Sequence, residues 1–85
     1  MTLDEAVSAV QATLDSKYLL VDRRLAREDV TSFLLLVLDI SKGRYDGDAP
    51  IANGPRLVDK STGEVIRLTV PAAVARAGQM ALVRV

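Results

Sequence analysis

Apolar residues recur at helical spacing over positions 3–15 and then change period. Leu3, Val7, Val10 and Leu14, with Ala6 beside them, form one stripe, while Asp4, Ser8, Gln11 and Asp15 point the other way. That is the pattern of a helix with one buried side. Thr2 and Glu5 stand three residues apart and make a capping box, which satisfies two backbone donors at the helix start. The pattern predicts a helix over 3–15.

Beyond Tyr18 the period is that of strands. Residues 18–25 predict a first strand, with Leu19, Val21 and Leu25 on one side and Asp22 and Arg24 on the other. The polar group 26–29 reads as a turn, and 30–40 as a long second strand. Its even positions include Val30, Leu34, Leu36, Leu38 and Ile40, and its odd ones Phe33, Leu35 and Val37. Both faces are apolar, which a strand tolerates only when both are covered. One helix covers one face. The other requires the chain's own residues 70–85, a second copy, or a different protein.

Residues 41–55 hold three glycines and two prolines and read as a loop. A hairpin follows, with strands at 56–58 and 64–68 joined through 59–63. Asp59 can hydrogen-bond the turn backbone, and Gly63 supplies the positive φ that closes it. Pro71 opens a short helix over 72–77, stopped by Gly78, and 81–85 reads as a last strand. The fold class is α+β: one domain over 1–85, with the N-terminal helix packed on an antiparallel sheet of three to five strands.

Composition narrows the chemistry. The chain has 85 residues, of which 49% are hydrophobic, and it contains no cysteine and no histidine. Disulfides, thiolate metal sites and imidazole catalysis are thereby excluded, and the fold stands on its apolar core. Eleven basic and eleven acidic residues cancel. Residues 56–85 carry five basic and two acidic residues, an imbalance too small to point to nucleic acid. The opening Thr2-Leu3-Asp4-Glu5 is acidic where a secretory leader is basic. The longest apolar run, Phe33 to Leu38, is far short of the ~20 residues that span a bilayer. No membrane role and a cytoplasmic location are the expectations.

Catalytic constellations are weak. Asp46 and Asp48 are close enough for a carboxylate pair, but Asp in a glycine-rich loop more often serves the turn. The stretch from Asp59 to Glu64 faintly follows a calcium loop and fails it: glycine stands at the fifth position, which needs an oxygen ligand, and Glu64 at the sixth, which needs glycine. Asn53-Gly54-Pro55 lacks the lysine and the following helix of a phosphate loop. Phe33, Tyr18 and Tyr45 are too scattered for base stacking. No catalytic residue, metal or cofactor is assigned, and the chain is expected not to be an enzyme.

The segment Ile51-Ala52-Asn53-Gly54-Pro55-Arg56-Leu57-Val58-Asp59-Lys60-Ser61-Thr62-Gly63-Glu64-Val65 resembles the signature of the YrhB-like immunity proteins, of the immunity protein 35 type. The likeness lies in a small-Asn-Gly-Pro lead-in, two apolar residues, and Asp-Lys-x-Thr-Gly-Glu. It implies a small α+β domain that neutralises a bacterial polymorphic toxin by binding it. It also implies an association with a chaperone-like role. In that reading Asn53, Gly54, Pro55, Asp59 and Gly63 are structural turn residues. The chain departs from the family in two places: Leu34 to Leu38 replaces strand aromatics, and the tail from Val70 is alanine-rich and apolar.

Two binding surfaces follow. The loop tip offers Arg44, Tyr45, Asp46 and Asp48, a tyrosine anchor with a charged rim, and its acids would suit a basic nuclease cleft. The alternative is an apolar interface of Phe33, Leu35 and Val37, serving a holdase-like chaperone or a structural homodimer. The expected partner is a protein: in the immunity reading a toxin encoded nearby, and in the alternative a second copy of the chain.

Overall fold

The computed structural model describes residues 1–15, 17–40 and 55–83. In chain order these form α1 (Leu3–Thr13), β1 (Leu19–Glu28), β2 (Ser32–Asp39), β3 (Arg56–Asp59), β4 (Val65–Arg67), α2 (Val70–Ala77) and β5 (Ala81–Leu82). The strands make one antiparallel sheet in the order β4-β3-β2-β1-β5. The fold is α+β, with helices on both faces of the sheet.

The capping box opens α1 as the sequence dictates. Glu5 N–H donates to Thr2 Oγ1 at 3.1 Å, and Thr2 N–H donates to Glu5 Oε1 at 2.8 Å. The helix ends at Thr13, short of the expected 15, with Leu14 as its C-cap. Ala6 and Val10 are buried; Leu3, Val7 and Leu14 are partly buried around them. This stripe lies on Leu19, Ala26, Phe33, Leu35, Val37 and Val58, which form the main core. Gln11 ties the helix to β1 by donating to the Leu19 carbonyl at 3.0 Å.

β1 departs from the simple alternation, and the departure positions everything on the second face. Asp22 pairs with Leu36 and Arg27 with Leu34, so five steps on β1 match two on β2. An odd number of extra residues inverts which side chains face which way. The Asp22 carboxylate holds the irregularity: it accepts from Arg24 N–H at 3.0 Å and from the Arg24 guanidinium at 3.2 and 3.3 Å. Two expectations are corrected in consequence. Residues 26–28 are strand, with the turn moved to 29–31, and Leu25 lies on the opposite face from Leu19 and Val21. Asp22, on the side opposite Leu19 and Val21, is buried.

The second face is covered in part by the chain's own tail. Thr69 caps α2 by accepting from Ala72 N–H at 3.2 Å, and Pro71 stands in the first turn. Ala73 and Met80, with Ala77 beside them, pack on Leu34, Leu57 and Leu68 as a second, smaller core. The final strand is two residues long. It pairs Leu82 with Arg27 and Ala81 with Glu28. Among the described residues no helix is long and apolar enough to cross a membrane.

Candidate functional site

Two hairpin turns meet at one end of the sheet and are tied together. Asp29 Oδ1 accepts from Thr31 N–H and Ser32 N–H, each at 2.9 Å. Asp59 Oδ1 accepts from Ser61 N–H at 2.8 Å, Ser61 Oγ at 2.7 Å and Thr62 N–H at 3.0 Å. Lys60 spans the two turns: its N–H donates to the Thr31 carbonyl at 2.8 Å, and its ammonium to Glu28 and to the Asp29 carbonyl. Arg76 of α2 pairs with Asp29 at 3.0 Å.

These bonds shift the carboxylates. At Asp59 the Ser61 hydroxyl, then the Ser61 and Thr62 N–H groups, hold the carboxyl below its ordinary value. At Asp29 burial pushes upward but is outweighed by the Thr31 and Ser32 donors and by Arg76, so the net direction is also down. The carboxylate oxygen of Asp59 is thus spent on its own turn. Gly63 closes that turn at φ 76°, and Pro55 is fully buried. Val30 stands at the tip with 93% of its surface exposed.

The apolar surface lies elsewhere, on the second face. Beyond the edge of α2 a shallow groove of about 240 Å³ is lined by Leu25, Arg27, Leu34, Leu36, Ala77 and Leu82. Leu34 is its buried floor, while Leu25 and Leu82 are 47% and 53% exposed. Leu20, Ile66, Val70 and Val74 are further large apolar side chains left in solvent. Arg27 enters the groove from the strand and donates to the Met80 carbonyl at 3.3 Å.

The apolar interface drawn on Phe33, Leu35 and Val37 is corrected. These residues are buried at 3%, 0% and 0% exposure, in the core that α1 covers. The helix took the odd face of β2, so the even face carries the open surface. Arg44, Tyr45, Asp46, Asp48, Asn53 and Gly54 lie outside the described residues.

Sequence reasoning missed Leu25, Arg27 and Leu82 as a group. Their convergence depends on the irregularity in β1 and on the pairing of β5, and neither leaves a residue pattern that spacing alone decodes. The one signal was the second apolar face of β2, which demanded more cover than one helix gives.

On the other face, Arg56 and Arg67 stand directly opposite each other on β3 and β4. Burial, then the charge of Arg67, lowers the pKa of Arg56. Among the described residues no group of three or more acidic side chains is placed to hold a metal ion. No protein-family model, curated protein or solved structure matches the chain.

Proposed function

We propose that this chain is a non-catalytic binding domain of the immunity type, which neutralises a cognate bacterial toxin in the cytoplasm by covering it. The observation that carries the reading is the open apolar groove beside α2. It sits on a sheet whose turns are tied and whose main core is closed. Contiguous exposed apolar surface marks interaction sites on small domains, whereas apolar residues exposed singly do not. A rigid sheet also presents such a surface at little ordering cost.

Two further points support the reading. The chain lacks histidine and cysteine, so the commonest bases and nucleophiles of catalysis are not available to it. The Ile51-to-Val65 segment resembles the YrhB-like immunity signature, and the resemblance names a toxin as the partner class. Arg44, Tyr45, Asp46 and Asp48, which lie outside the described residues, are a second contact region in this proposal.

The test is co-expression with the product of the adjacent gene. Restored growth of cells expressing that product, together with a purified complex of micromolar or tighter dissociation constant, is the expected result. The absence of both rescue and binding would sink the immunity reading. A concentration-dependent homodimer in sedimentation, with no hetero-complex, would replace it with the structural-dimer reading.

A further inference from the structure

We infer that the groove beside α2 takes a protein segment presenting an aliphatic or aromatic side chain with a carboxylate next to it, and that the carboxylate pairs with Arg27. This rests on the binding-domain reading above and specifies the partner's chemistry at that face.

Size argues for a projecting side chain. The groove holds about 240 Å³, below the ~300–1,000 Å³ of pockets that enclose a small-molecule ligand. Its walls, Leu25 and Leu82, are about half exposed, so an apolar group seated between them removes surface from water on both sides.

Charge sets the partner's sign. Arg23 has Asp4, Arg24 has Asp22, Lys60 has Glu28 and Arg76 has Asp29. Arg27 differs from these four. Among the described residues its guanidinium makes one hydrogen bond, to the Met80 carbonyl, and no carboxylate there pairs with it. Its cross-strand neighbours are Leu34 and Leu82. A guanidinium with spare donors at the rim of an apolar floor favours a carboxylate, because the ion pair forms where water is partly excluded. A wholly apolar segment would strip water from Arg27 without replacing it, and a basic segment would meet like charge.

The experiment titrates the full chain with three probes of one shape: phenylbutyrate, phenylbutanamide and phenylbutylammonium. Amide shifts are followed by NMR. Saturable shifts at Leu25, Arg27, Leu34 and Leu82 are expected, with a dissociation constant of the order of millimolar for the acid. The amide should bind about tenfold more weakly, and the ammonium more weakly still. R27Q should make acid and amide equal. L82D, at an exposed position, should reverse the preference towards the ammonium, which covers the case that R27Q is unstable.

Equal affinity for acid and amide on the parent chain overturns the inference, as do saturable shifts confined to another surface. Steeply tighter binding of decanoate would assign the groove to a lipid instead. Protection of the groove by self-association would assign it to a second copy. No toxin enters these titrations, so the two readings fail separately. A toxin bound equally by parent and R27Q removes only the groove chemistry. Acid-over-amide preference without any toxin binding removes only the immunity reading.

Discussion

Lys60, in the β3–β4 turn, places its ammonium 2.8 Å from Glu28 Oε1 at the far end of β1 and 4.6 Å from the centre of the Phe33 ring. One side chain thus joins two hairpins through residues 32 apart in sequence and rests on the core aromatic between them. The pair is partly shielded, so it should be worth more than a solvated one. Lys60→Met keeps the stem and removes the charge. It is expected to cost about 1 kcal/mol in urea denaturation. Adding Glu28→Gln should then cost little more, since the pair is already broken. Fully additive losses in that cycle would show that the two side chains act independently.

The core gives a graded prediction. Leu35 is wholly buried at the centre of the sheet, and Leu35→Ala should cost about 2–5 kcal/mol. Leu14 is the partly buried C-cap of α1, and Leu14→Ala should cost clearly less, below about 2 kcal/mol. Denaturant melts of the two variants check the order. A larger loss at Leu14 would mean that α1 is anchored through its end and not through Ala6 and Val10.

Gly63 separates backbone strain from crowding. Its φ is 76°, yet a Cβ built there would meet only Met1 Cε at 3.5 Å, an ordinary contact. The cost of a side chain is therefore conformational. Gly63→Val should lose upwards of about 1–2 kcal/mol, while Gly63→Asn should lose much less, because asparagine visits the left-handed region more readily. Similar thermal melts for the two variants would refute the assignment.

The elements were legible where one cause acts locally. Thr2 and Glu5 announced the helix start, and Asp59 and Gly63 announced the hairpin, because capping and turn chemistry sit within a few residues. Two features were not legible. The first is which face of β2 the helix would take, since Leu34, Leu36 and Leu38 are as apolar as Phe33, Leu35 and Val37 and only packing of the whole domain decides. The second is the shift in β1. Asp22 accepting from Arg24 N–H is a local bond, but its consequence, Leu25 turned to the groove, depends on pairing with β2. The candidate surface inherits both uncertainties of pattern, which is why Arg27 read as part of a turn.

Below neutrality, stability should stay level until the carboxylates titrate in acid. Glu5 is held below its ordinary value by hydrogen bonds from the Thr2 backbone and side chain. Asp59 is lowered by its turn donors. Asp29 is lowered by its turn donors and Arg76 against the opposing effect of burial. A folded-state pKa below the unfolded one means that the fold prefers the charged carboxylate. Its contribution is present above the unfolded value and is lost as pH falls through the folded one. With no histidine in the chain, no imidazole titrates near neutrality. The urea midpoint should therefore be nearly constant from about pH 7 down to about pH 5.5, then fall below about pH 4, the ordinary carboxylate range. The variant carrying Asp29→Asn and Asp59→Asn should be less stable at neutral pH and should lose less on acidification. Its curve should approach that of the parent near about pH 2, where the parent's carboxylates are protonated as well. Curves that stay parallel throughout would show that the two aspartates hold their turns without regard to charge.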